Sequence, residues 1–236
     1  MEPGEEVLEP RIMLAGGGDE RDSRILDETF ACWTLSEEGK MLFLPVALDG
    51  QQPTYEACLR WVESVFGPLG VSDIEMWTEL GGFHRGRLSG FSSVYLSGGN
   101  TFRLLALVRA SGFDRELADF IRRGGCVYGG SAGAILLGKD IGTCAHMDAN
   151  EVGLADTSGL DLVAGHAVWC HYQPDNDELI SDYVAERGIP VLAFSERSGL
   201  RVEGARMVPW GEEPAFRFSL EGKARVRVGD LVLSAS

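Results

Sequence analysis

The run Cys126-Val127-Tyr128-Gly129-Gly130-Ser131-Ala132-Gly133-Ala134-Ile135-Leu136-Leu137 leaves this chain few folds to choose from. A short apolar segment meets two glycines, a serine stands at the apex, and small residues lead into a helix-forming apolar stretch. That order is strand, tight turn, helix. Gly129, Ser131 and Gly133 spell G-x-S-x-G, the nucleophile elbow, whose strained turn and close backbones leave no room for a Cβ at the flanking positions. Such a turn lifts the serine oxygen out of the fold. It also aims the amide of Ala132, at a helix N-terminus, toward the place where an oxyanion would form. The plain alternative is a glycine-rich turn whose serine only caps the helix.

The remaining segments fit the same unit. Arg11 to Ala15 reads as a strand running into a flexible turn, Gly16-Gly17-Gly18. Ile25 to Leu35 has helical apolar spacing after an Asp22 or Ser23 cap, and Met41 to Leu48 reads as a buried strand. Pro53 to Phe66 is an amphipathic helix, Val71 to Trp77 a third strand, and Phe91 to Leu96 a fourth closing on Ser97-Gly98-Gly99-Asn100. Thr101 to Arg109 and Asp114 to Arg123 are helical. Residues 140–165 are rich in Gly, Asp and Thr, lack periodicity and read as a long functional loop. Ala167 to Cys170 and Pro190 to Phe194 are strands around a helix at Asp175 to Glu186. From Gly199 the pattern becomes short antiparallel strands: Arg201 to Glu203, Arg206 to Pro209, Ala215 to Leu220 and Ala224 to Leu233. Strands alternating with helices predict an α/β fold, a mostly parallel sheet with helices on both faces, carrying a short antiparallel C-terminal β segment. The expected organisation is one α/β hydrolytic domain over 1–236, with a loose acidic tail at 1–10 and a β extension at 199–236.

Composition narrows the function classes. The 236 residues carry a net charge of −15, which argues against a nucleic-acid or anionic-membrane surface. An acidic substrate would therefore need a local cation. The five cysteines are widely spaced without a C-x-x-C pair, so no disulfide framework or zinc ribbon is implied. Residues 1–10 do not read as a signal peptide, and no apolar run approaches the ~20 residues of a membrane span. The expectation is a cytoplasmic enzyme without cofactor or metal. Its expected partners are a small peptide substrate and, as an option, a second copy of the chain.

A serine nucleophile needs a base, and the base an orienting acceptor. Of four histidines, His171 ends the 167–170 strand, at the carboxyl edge where ligands collect in open α/β sheets. His166 begins that strand and falls at the opposite end, His84 sits in a polar loop, and His146 in the long loop is the second candidate base. For the acid, the loop offers Asp140, Asp148, Glu151, Asp156 and Asp161, with Asp148 and Glu151 midway between nucleophile and base. Either could equally be a solvated loop carboxylate. At Gly98-Gly99-Asn100-Thr101 two glycines leave the amides uncovered. If that strand neighbours the one before Ser131, Gly99 becomes a second oxyanion donor, and Asn100 either contacts substrate or caps the helix.

Together, Ser97-Gly98-Gly99-Asn100-Thr101-Phe102-Arg103-Leu104-Leu105, Gly129-Gly130-Ser131-Ala132-Gly133-Ala134, Asn150-Glu151 and Cys170-His171-Tyr172 resemble the dipeptidase E and cyanophycinase family of serine peptidases. The resemblance runs from about Arg11 to about Gly204. It implies a flavodoxin-like or glutamine-amidotransferase-like fold, with Ser131 as nucleophile, His171 as base, Glu151 as acid and Gly99 and Ala132 as the oxyanion hole. Asp148 stands as the alternative acid, because the loop after Ser131 is longer than in the aspartyl dipeptidases. The resemblance further implies a dipeptidase acting through an acyl-enzyme on peptides with an N-terminal aspartate, and Arg197, following the 190–194 strand, is the candidate cation for that side chain. The alternative for Arg197 is a pair with Glu196 or a nearby loop carboxylate. Competing functions are a cyanophycinase-like hydrolase, another amidase or esterase, a non-catalytic small-ligand binding protein, and a metallohydrolase built on His146, Asp148 and His171.

Overall fold

The computed structural model describes residues 9–37, 39–82, 84 and 86–232. The first eight residues of the acidic tail and Leu233, the end of the last expected strand, lie outside them.

Alternation along β1 (Arg11–Ala15) shows how the sheet is built. Ile12 and Leu14 enter one hydrophobic cluster, and Met13 and Ala15 enter another on the opposite face. β1 pairs in parallel with β5 (Cys126–Gly130), and β5 with β4 (Ser93–Leu96). β2 (Lys40–Leu44) and β3 (Asp73–Met76) continue in parallel to one edge. β2 stops at Leu44 rather than Leu48: Pro45 has no N–H to give the ladder, and its carbonyl accepts from Leu48 in a turn.

Helices α1 (Arg24–Leu35) and α2 (Tyr55–Phe66) cover the face holding Met13, Phe43, Tyr95 and Tyr128. On α2 the buried residues Cys58, Val62 and Phe66 fall at spacings of four, and the Thr54 side chain caps the first turn. The other face packs on α3 (Thr101–Ser111), α4 (Phe113–Arg122) and α5 (Ala132–Leu137).

Beyond β1 the sheet turns antiparallel, through β8 (Ser198–Glu203) and β9 (Arg206–Gly211), giving seven strands in the order β3-β2-β4-β5-β1-β8-β9. A second sheet holds four, β11-β10-β7-β6, made from β6 (Ala167–Trp169), β7 (Val191–Ala193), β10 (Ala215–Ser219) and β11 (Gly222–Val226). α6 (Asp177–Arg187) packs on it through Ile180 and Val184. The C-terminal strands are thus antiparallel as expected, and are shared between two sheets instead of forming a layer of their own.

One charged group lies inside the α1 face. Asp27 is buried and accepts from the Ser23 and Tyr128 hydroxyls at 2.7 and 2.8 Å. Burial raises its carboxyl from 3.8 to about 6, the two hydrogen bonds opposing only part of that cost. Between those values the unfolded chain gives up this proton while the folded protein keeps it. Stability therefore falls as pH rises through the window, by about 3 kcal/mol from this group. Urea unfolding at pH 4 and pH 7 is expected to show a larger loss in the wild type than in Asp27→Asn; equal losses would contradict this account.

Candidate active site

Ser131 follows β5 directly and precedes α5, with φ 49° and ψ −108°, a conformation that costs a non-glycine residue about 1–3 kcal/mol. Hydrogen bonds hold it there: its N–H donates to the Ala15 carbonyl at 3.1 Å and its carbonyl accepts from Ile135 at 3.0 Å. The glycines around it are sterically required. A Cβ on Gly129 would lie 2.6 Å from the Gly133 backbone, and one on Gly133 would lie 2.3 Å from the Leu96 carbonyl.

His171 lies just past β6, so nucleophile and histidine come from different sheets rather than from one shared edge. Its φ is also positive, at 53°, and its N–H donates to the Gly16 carbonyl at 2.8 Å. The imidazole Nε2 stands 2.9 Å from Ser131 Oγ. Its Nδ1 stands 2.9 Å from Oε1 of Glu196, a residue two positions past Phe194 on the loop leaving β7. Ser131 and His171 are partly exposed and Glu196 is exposed, so this row of side chains opens to solvent.

The end of β1 holds this arrangement together. Ala15 fixes Ser131, Gly16 fixes His171, and Gly17 lies under the imidazole, where a Cβ would come within 2.1 Å of its Cε1. With φ 119°, Gly17 is also in a region closed to L side chains. Gly17→Ala is expected to push the ring off Ser131 and lower kcat/KM by ~10²-fold, the usual cost of a 1 Å misplacement. A kcat/KM within threefold of wild type would contradict that packing.

The other expected site residues fall as follows. β4 does neighbour β5, so the Gly98-Gly99 turn lies beside the elbow. Gly98 borders Ser131, its Cβ position 3.5 Å from the serine Cβ, whereas Gly99 packs against Ala47. The Gly98, Gly99 and Ala132 amides have no hydrogen-bond acceptor among the described residues. Asn100 caps α3 by accepting from the Arg103 N–H, and its amide donates to the Ala149 carbonyl.

Glu151, the expected acid, is exposed and lines a separate pocket with Asn100 and Arg103; the carboxylate on His171 is that of Glu196. Asp148, the alternative, accepts from the Thr101 N–H at 2.8 Å and so closes the start of α3. The register explains both: the 140–165 loop docks on α3, and the β7 loop is the one that passes His171. Arg197 pairs with Glu212 rather than Glu196 and lines a pocket that contains neither Ser131 nor His171. His146 stacks on Trp169 with its Nδ1 on the Thr143 carbonyl, while His166 is buried and accepts from Arg217 Nε. Among the described residues no group of three or more His, Cys, Asp or Glu is arranged to hold a metal ion, and no helix is long and apolar enough to cross a membrane.

Comparison with known proteins bears on the family and the fold. A sequence model described as Peptidase family S51 matches residues 12–208. Peptidase E of Streptomyces coelicolor is 31% identical over 190 residues, 76% of this chain and 74% of that protein. A Drosophila melanogaster protein named "probable alpha-aspartyl dipeptidase" is 30% identical over 145 residues, 55% of this chain and 58% of its own length. The crystal structure of a peptidase from an acI-B1 Actinobacterium superposes with a TM-score of 0.73 at 14% identity, covering 96% of this chain and 97% of that one, which speaks for the fold.

Proposed function

This chain belongs to peptidase family S51, a family of serine peptidases, and on that footing we propose that it hydrolyses short peptides, as a dipeptidase, through Ser131, His171 and Glu196. Ser131 Oγ attacks the scissile carbonyl carbon while His171 Nε2 takes its proton. Glu196 accepts from the Nδ1–H, which fixes the tautomer and offsets the charge the ring acquires. The amides of Ala132 and of the Gly98-Gly99 turn take up the developing oxyanion. The C–N bond then breaks, His171 returns the proton to the leaving amine, and water repeats the sequence on the acyl-enzyme to release the acid.

The observation that carries this reading is the unbroken relay, 2.9 Å from Oγ to Nε2 and 2.9 Å from Nδ1 to Oε1. Its test is labelling with a fluorophosphonate followed by peptide mapping. Stoichiometric modification of Ser131 is expected; modification elsewhere, or none, would defeat the assignment. The finer expectation, a preference for N-terminal aspartate, needs a cation beside Ser131, and among the described residues no lysine or arginine lines the pocket that opens there.

A further inference from the structure

The pocket beside Ser131 has a volume of about 480 Å³, within the range of small-ligand sites. Away from the triad its wall is apolar: Phe43, Leu48, Cys58, Trp61, Tyr95 and Tyr128. The polar atoms in that wall are mostly engaged elsewhere. Ser23 donates to Asp27 and the Asp19 carbonyl lies within its reach, Ser97 donates to the Gly98 carbonyl, and the Tyr128 hydroxyl donates to Asp27. Of the serine and tyrosine hydroxyls in that wall, Tyr95's is the one without a hydrogen-bond partner among the described residues, and burial keeps that phenol neutral. The rings of Tyr95 and Tyr128 meet edge to face at 4.5 Å, the arrangement a third ring could extend.

Charge near this pocket is negative. The Asp27 carboxyl stands directly behind Ser23 and Tyr128, and Glu20 accepts from the Trp61 indole N–H at 3.4 Å. The cations lie in the neighbouring pocket: Arg197, paired with Glu212, Lys223, paired with Asp177, and Arg225. A carboxylate entering beside Ser131 would lose its water and meet no lysine or arginine among the residues lining the pocket, whereas an apolar side chain would lose nothing.

We propose that this pocket receives a large apolar side chain, aromatic by preference, of a residue flanking the scissile bond, making the enzyme selective for apolar rather than aspartyl dipeptides. The proposal rests on the triad reading only for where the bond is cut.

Binding separates the two. Calorimetry on the Ser131→Ala protein with Phe-Ala, Ala-Phe, Ala-Ala, Asp-Ala and Arg-Ala is expected to show a phenylalanyl dipeptide binding at least tenfold more tightly than Asp-Ala, with kcat/KM in the wild type following the same order. Asp-Ala or Arg-Ala binding as tightly as the best phenylalanyl dipeptide would overturn the proposal. A second variant places bulk in the cavity: Ala57, partly exposed on α2, lines it. Ala57→Phe is expected to reduce the affinity ratio of phenylalanyl dipeptide to Ala-Ala by tenfold or more, and an unchanged ratio counts against the pocket. If the wild type cleaves none of these peptides while the binding order holds, the triad reading fails and the pocket assignment stands.

Discussion

Ser131→Ala is expected to lower kcat on any cleaved dipeptide by ~10⁶-fold, the loss seen when a triad nucleophile is removed from a serine peptidase. The size follows from the unit nature of the relay: without Oγ there is no atom for His171 to deprotonate, and only oxyanion donors and binding remain. The fold should persist. Ser131 is partly exposed, its backbone hydrogen bonds to Ala15 and Ile135 do not involve the side chain, and truncation opens no core cavity. Circular dichroism and thermal unfolding should therefore match wild type within ~1 kcal/mol, as for surface changes generally. Activity within a hundredfold of wild type would remove Ser131 from the chemistry.

The second large effect separates two carboxylates. Glu196→Gln is expected to cost ~10⁴-fold in kcat, because an amide can hold the wrong imidazole tautomer and cannot offset the imidazolium charge. Glu151→Gln should stay within threefold, since that residue is exposed in a different pocket. Steady-state kinetics on the two variants, side by side, decide the matter. A severe loss at Glu151 with a mild one at Glu196 would mean that the loop after α5 moves onto His171 during turnover.

The contrast between these residues shows what could be read from the chain. The elbow was legible because its chemistry is local: Gly129, Ser131 and Gly133 meet within five residues, and the clash each glycine avoids is with its own turn or the adjacent strand. His171 was legible for a similar reason, as the histidine at the end of an apolar strand, although its strand belongs to a second sheet. Glu196 was not. It stands 25 residues from His171 in a polar segment, and nothing in Ser195-Glu196-Arg197 distinguishes a carboxylate that meets the imidazole from a solvated one. The spatial pairing of β6 with β7 is what brings it in. Asn150-Glu151 drew the assignment instead through its resemblance to the family's motif, whereas the segment just before it docks on the start of α3 through Asp148 and Ala149.

Gly16-Gly17-Gly18 reads as a flexible turn, but its composition also carries a packing signal. Three glycines after an innermost strand are a place where other groups approach the backbone closely, and His171 and the Phe194-Ser195 backbone do so. The break at Pro45 was equally available from the missing N–H. The sharing of the C-terminal strands between two sheets was not, because the order of strands in space leaves no local trace.

Ser131 and His171, the proposed nucleophile and base, are both held by main-chain carbonyls at the end of β1, those of Ala15 and Gly16. Carbonyls do not change when side chains are substituted. The wall of the adjoining cavity, by contrast, is built of side chains, chiefly from α2, β2, β4 and β5. On the proposed assignments, reaction and selectivity are therefore inherited through different parts of the polypeptide: drift along α2 can retune what is accepted, one side chain at a time, while the geometry of Ser131 and His171 stays as the backbone set it.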